Sequence, residues 1–135
     1  MPQETGWYIE GRVIIARYWG AVTLQDIYES AAIEYELLES VRDRTVHLLV
    51  DQIQQTSRPV ELMRIRHALR DVMIHPAKGW TLAYGSIQDI TGDYINIVIT
   101  KSFRARYRAF PSRVQALAFL AKADRSLRDL LVNNP

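Results

Sequence analysis

The chain of 135 residues contains no cysteine. That absence removes disulfides, thiolate nucleophiles and cysteine-ligated zinc or iron–sulfur sites. Glycine is sparse and scattered, at positions 6, 11, 20, 79, 85 and 92. Neither a GxGxxG turn nor a GxxxxGK phosphate loop forms from that spacing. The three histidines, His47, His67 and His75, make no HExxH, HxH or His-plus-acid cluster with ligand spacing, so no metal or other cofactor is expected. No GxSxG elbow is present either, and no serine sits within a motif that also places a histidine, so catalytic residues are not assigned. Apolar runs such as Val13-Ile14-Ile15-Ala16 fall far short of the roughly 20 residues that cross a bilayer, and no membrane insertion is expected. Met1 to Thr5 lacks a basic stretch followed by an apolar run. No signal peptide is therefore expected, and the cytoplasm is the expected location.

What is present describes a globular chain. Apolar residues make up 48% and charged residues 24%, enough to bury one core without staples at this length. A single domain over residues 1–135 is expected, its core at about 7–124. Net charge is +2, yet the charge is segregated. Residues 1–60 hold nine acidic and five basic side chains, a balance of −4, whereas residues 101–135 hold eight basic and two acidic, a balance of +6. Such polarity steers anionic partners or neighbouring copies of the same chain.

Periodicity then gives the elements. Trp7 to Gly20 is β-branched and aromatic, broken at Glu10-Gly11, which predicts a hairpin. Leu24, Ile27, Tyr28, Ala31, Tyr35 and Leu38 form an apolar stripe at helical spacing, opened by a Thr23/Asp26 variant of the capping box. Val46 to Val50 reads as a buried central strand ended by Asp51. A polar loop, Gln52 to Arg58, leads to a helix starting at Pro59, with Thr56 and Ser57 as its caps. Leu62, Ile65, Leu69, Val72 and Met73 line that helix, and His75-Pro76 stops it. Gly79 to Gly85 is a further strand. Residues 90–103 fit either a strand or a helix, with helix favoured. Arg104 to Phe110 alternates and predicts a strand with Arg104, Arg106 and Arg108 on one face. The last helix opens at Ser112 and turns Val114, Leu117, Ala118 and Ala121 inward. The order β-β-α-β-α-β-α-β-α implies an α/β fold: a single mixed, mainly parallel sheet with an N-terminal β-hairpin and alternating helices.

Several features together give a family resemblance. An early aromatic strand ends in Arg17-Tyr18-Trp19-Gly20-Ala21-Val22-Thr23 before a long helix. A strand closes in Asp51, His75-Pro76 precedes Gly79-Trp80, and Phe110-Pro111-Ser112 leads into Gln115 to Leu120. Over about residues 7–124 the chain resembles the STAS/SpoIIAA-like family of small α/β domains. The resemblance implies a non-catalytic module used in protein–protein regulation. In one branch a phosphorylatable serine follows an aspartate after the central strand. This chain has Asp51-Gln52-Ile53 there, so no phosphoserine switch is carried over. A related branch resembles lipid carriers, which implies an apolar-ligand pocket.

Function is therefore expected to be a non-catalytic protein-interaction or regulatory module, acting on a protein partner or by self-association as a homodimer. Two alternatives accompany it. The first is a small apolar-ligand carrier with a pocket near Trp19, Tyr28, Trp80 and Tyr84. The second is an anion or nucleic-acid binder through Lys101, Arg104, Arg106, Arg108 and Arg113, a basic run interleaved with Phe103, Tyr107 and Phe110. The near-neutral net charge speaks against nucleic acid. The paired acids Glu34 and Glu36, and Asp89 and Asp93, are expected to be solvated.

Overall fold

The computed structural model describes residues 2–85, 98 and 100–132. Strands β1 (Gln3–Ile9) and β2 (Val13–Ala21) pair antiparallel. Between them Gly11 takes φ +73°, a conformation a side chain would strain. Next come β3 (Val46–Ser57), β4 (Lys78–Tyr84) and β5 (Tyr107–Phe110), all parallel to β2, in spatial order β1-β2-β3-β4-β5. The expected mixed, mainly parallel sheet with its N-terminal hairpin is the one observed.

Helices cover both faces. Ile14, Ala16 and Leu48 pack with Leu38 of α1 (Leu24–Ser40) and Val72 of α2 (Leu62–Met73). The alternate residues Val13, Ile15, Leu49 and Leu82 pack with Ala116 and Leu120 of α3 (Arg113–Ala123). Leu127 of the 3-10 turn Arg125–Leu127 and Leu131 of α4 (Arg128–Val132) complete that second cluster. The period-2 pleat thus sends each strand's apolar residues into two separate cores. At the start of α1 the capping box forms: the Thr23 hydroxyl accepts from the Asp26 N–H at 3.2 Å, and the Asp26 carboxylate accepts from the Thr23 N–H at 2.8 Å. Such a cap contributes about 1 kcal/mol.

Five expectations need correction. First, β3 does not end at Asp51. It runs to Ser57, because the long β2 offers pairing partners through Ala21. Second, Thr56 and Ser57 accordingly lie in a strand and cap nothing; α2 starts at Leu62, with Glu61 at its N-cap. Third, β5 begins only at Tyr107, as an edge strand matched to Thr81 through Tyr84. Arg104, with φ +50°, instead follows helical residues 100–103. Of the ambiguous segment 90–103, residues 98 and 100–103 are helical, and the remainder lies outside the described residues. Fourth, α3 buries Ala116 and Leu120 most deeply; of the residues expected inside, Leu117 and Ala121 pack against that core, while Val114 and Ala118 face outward. The inner face is therefore centred on Ala116 and Leu120 and flanked by Leu117 and Ala121, on a helix apolar nearly all round. Fifth, α1 buries Asp26, Ser30 and Glu34 along with Ala31 and Leu38, and its expected core residue Tyr35 is exposed.

Candidate functional site

A polar stripe on the inner face of a helix is costly unless every group has a partner. Asp26 is satisfied by the cap. Ser30 bonds the Thr5 hydroxyl at 2.7 Å, and Thr5 in turn donates to Gln3 Oε1 at 2.8 Å. Tyr18 joins this chain through Ser30, and burial pushes its phenol up to about 12, so it stays neutral at physiological pH. Glu34, expected to be solvated, is instead ion-paired with Lys78, with only 5% of either side chain exposed. Its sequence partner Glu36 is exposed, and Asp89 and Asp93 lie outside the described residues. A buried pair is strongly coupled, because removing one partner strands the other charge in low dielectric.

Beside this network, between the sheet, α1 and α2, lies a cavity of about 140 Å³. Ile27, Ile65, Leu69 and Val50 give it apolar walls, and Ser30, Glu34 and Lys78 lie on its polar side. Three further lining groups stand out. Gln52 Oε1, Gln55 Oε1 and Thr81 Oγ1 are buried and have no hydrogen-bond partner. Each orphaned group of this kind costs roughly 1–3 kcal/mol relative to its solvated state.

The local backbone explains why two glutamines from one strand reach the same cavity. Register runs Arg17↔Asp51 and then Trp19↔Gln54, so β3 advances three residues where β2 advances two. The extra residue is a β-bulge, and a bulge reverses the in–out alternation beyond it. Gln52 and Gln55, which strict alternation would point to opposite faces, thereby both line the cavity. Gln55 Nε2 donates to the Ser57 carbonyl at 3.1 Å, which leaves Oε1 as the unsatisfied end of that amide.

The four aromatics expected to frame a pocket are not gathered there. None of Trp19, Tyr28, Trp80 and Tyr84 lines this cavity. Tyr28 bonds His67 Nδ1 at 2.9 Å across α1 and α2. Trp80 and Tyr84 project to the opposite face of the sheet, where Trp80 meets Phe119 edge-on at 4.9 Å and Tyr84 donates to Asp51 at 3.2 Å. Trp19 is partly exposed at 38%.

The arginine strand face is not formed either. With β5 shortened, Arg104 and Arg106 precede it. Arg108 lies over the rings of Phe110 and Phe119, at 5.6 and 4.9 Å. Lys101 is exposed on helical residues 100–103, and Arg113 opens α3. The interleaved aromatics point inward: Phe103 packs against Ile65 with Arg66 stacked over it, Tyr107 lines the cavity, and Phe110 joins the α3 core. They offer no stacking platform for bases.

Both buried histidines have each ring nitrogen engaged. His47 Nδ1 accepts from the Trp80 N–H at 3.0 Å, so Nε2 carries the proton and donates to Asp124 at 2.9 Å. Burial lowers the His47 pKa, against the opposing pull of Asp124. Burial pushes the Asp124 carboxyl up, but hydrogen bonds from Ser126 and His47 outweigh it and hold the group below its ordinary value. The close fit also requires Gly79, where an added Cβ would lie 2.5 Å from His47 Nδ1. His75 repeats the arrangement, with Nδ1 accepting from the Ala77 N–H at 3.0 Å and Nε2 donating to Glu39 at 2.6 Å. Neither imidazole has a nitrogen left to accept a substrate proton. Among the described residues no group of three or more histidines and acids is placed to hold a metal ion. Among them, too, no helix is long and apolar enough to cross a membrane.

No protein-family description matches the sequence, and no curated protein matches it. Structural comparison does find relatives. One is the crystal structure of an uncharacterised protein from the DUF3478 family with a SpoIIAA-like fold, from Shewanella loihica PV-4. The two superpose with a TM-score of 0.61 and 12% sequence identity, covering 87% of this chain and 91% of the other. The fold is SpoIIAA-like. Within it, the Asp51-Gln52-Ile53 segment belongs to the central strand itself. Asp51 accepts from Tyr84 and from the Ile53 N–H, at 3.2 and 3.1 Å. Gln52 is among the residues that line the cavity. Nothing in a periodicity count marks Gln52, Gln55 and Thr81 as a group. The one sequence signal was the Asp26, Ser30, Glu34 row at i, i+4, i+8, which places three polar side chains on one helix face.

Proposed function

We propose that the chain is a non-catalytic regulatory module of SpoIIAA-like fold that binds a small molecule in the cavity between α1, α2 and the sheet. The carrying observation is the cavity itself, whose apolar walls of Ile27, Ile65, Leu69 and Val50 meet a polar side that includes Ser30, Glu34, Lys78 and Arg58. A void left only by imperfect packing is apolar and dry, whereas this one combines apolar walls with polar groups able to orient a ligand. A volume of about 140 Å³ is close to that of the apolar cavity, roughly 150 Å³, known to hold benzene. It suits a ring-sized molecule and is too small for a lipid tail or a dinucleotide. The test is a thermal-shift series with ring-sized fragments on the full chain and on Ala31→Leu, which fills the cavity from α1. Saturable stabilisation that Ala31→Leu abolishes supports the reading. No saturable shift, or a shift that persists in the filled variant, overturns it.

A second reading concerns the exterior. Lys122, Arg125 and Arg128 ring a wide surface depression over α3 and α4, on the part of the chain with the +6 balance. Complementarity favours an acidic protein surface there, and residues 1–60 of a second copy have that character. Size-exclusion with light scattering at low and high salt tests self-association, and a monomer under every condition would refute it.

A further inference from the structure

We infer that the buried Glu34–Lys78 pair is the polar floor of the cavity and selects an uncharged, ring-sized molecule that carries a carboxamide. The inference rests on the proposed cavity-binding function and adds the chemistry of the ligand. Its grounds lie in what the polar groups of the wall already do. The unpaired oxygens of Gln52, Gln55 and Thr81 have essentially no accessible surface and present nothing to a ligand. Ser30 is spent on Thr5, and Tyr18 on Ser30. Arg58, Thr100 and Tyr107 are engaged in interactions of their own. Arg58 also belongs to the far end of the cavity: it follows the last residue of β3, whereas Lys78 pairs with Val46, the first. Glu34 and Lys78 remain. Each keeps 5% of its side chain accessible, and both line the cavity.

An ammonium has three N–H donors and a carboxylate has two acceptor oxygens. The bond from Lys78 Nζ to Glu34 Oε2 uses one of each, which leaves Glu34 Oε1 and two Lys78 N–H groups to other partners. The same bond holds that donor and that acceptor side by side, the arrangement that matches the C=O and N–H of an amide. Its carbonyl accepts from Lys78 and its N–H donates to Glu34, both as charge-assisted bonds. The ring then lies against Ile27, Val50, Ile65 and Leu69. Charge at this floor decides against ions. The pair is already neutral, so a ligand carboxylate or ammonium adds an unbalanced charge in low dielectric and meets the like-charged member of the pair. Water satisfies such a pair too; the amide gains over water through the ring that it buries.

The experiment titrates the full chain with benzamide, acetophenone, benzoate and toluene, followed by calorimetry or NMR. The first three share one shape and differ in offering acceptor plus donor, acceptor alone, and a negative charge. Benzamide should bind tightest, with acetophenone about tenfold weaker for the lost donor and toluene weaker again. Benzoate should bind at least about tenfold more weakly than benzamide. In the Lys78→Met/Glu34→Leu variant, checked for an unchanged circular dichroism spectrum, benzamide should lose its advantage over toluene. Persistence of that advantage would overturn the assignment to this pair. On the unmodified chain, benzoate tighter than benzamide, or toluene as tight, would overturn the amide selectivity and leave the cavity reading standing. Binding of none of the four would overturn both. The unmodified series decides the question even if the double variant does not fold.

Discussion

On the face covered by α3 and α4, Val13, Ile15, Leu49, Leu82 and Tyr84 meet Ala116, Leu120, Leu127 and Leu131, and all of them are buried. On the face covered by α1 and α2 the same sheet meets Asp26, Ser30 and Glu34, a buried ion pair and a cavity. One side is mainly close-packed hydrocarbon around the His47–Asp124 polar link, and its stabilisation follows buried area. The other contains groups whose desolvation is only partly offset by hydrogen bonds. The contrast teaches that both faces hold the fold together by apolar cores, while the α1 face also buries the groups that cost most to desolvate.

Three substitutions break or sharpen that contrast. The largest effect is expected at the ion pair. Lys78→Met, which leaves Glu34 buried without its counter-charge, should cost about 3–5 kcal/mol in urea unfolding. Adding Glu34→Leu should recover most of that loss; if the double variant is no better than the single, the two charges are not coupled. Next is Leu120→Ala on the opposite face. It should cost about 2–5 kcal/mol by loss of packing and leave fragment binding in the cavity unchanged. A loss of binding there would mean the two faces are not independent. The smallest effect has the opposite sign. Thr81→Val removes a buried hydroxyl that has no hydrogen-bond partner and should raise stability by about 1 kcal/mol, measured as the urea midpoint. A destabilised Thr81→Val would show that the hydroxyl is satisfied in solution.

The same contrast explains what could be read from the sequence. Hairpin, helix α1 with its cap, central strand and the succession of strands and helices along the chain were legible, because period-2 and period-3.6 patterns and the Thr23/Asp26 pair encode them locally. The extent of β3 was not, since Gln52 to Ser57 is polar and becomes strand only by pairing with Trp19 to Ala21. The inner face of α3 was only half legible for the opposite reason: Leu117 and Ala121 do pack on the core, but Val114 and Ala118 compete with Ala116 and Leu120 on a helix with little polar contrast. As for the site, Glu34 looked solvated because its partner Lys78 is 44 positions away. The glutamine pair depends on a bulge, a tertiary event with no one-dimensional signature. The expected aromatic pocket failed because adjacent members of a strand or neighbouring elements need not share a side of the sheet.

The link between His47 and Asp124 joins positions 77 apart in the chain. Since the imidazole also caps the backbone of Trp80, a single ring ties the middle strands to the carboxy-terminal segment. That segment is therefore a keystone and not a tail. Shortening the chain ahead of Asp124 would strip the lid from Val13 and Leu49 and leave an interior proton donor facing nothing, so the last helical turns belong to any minimal folding unit.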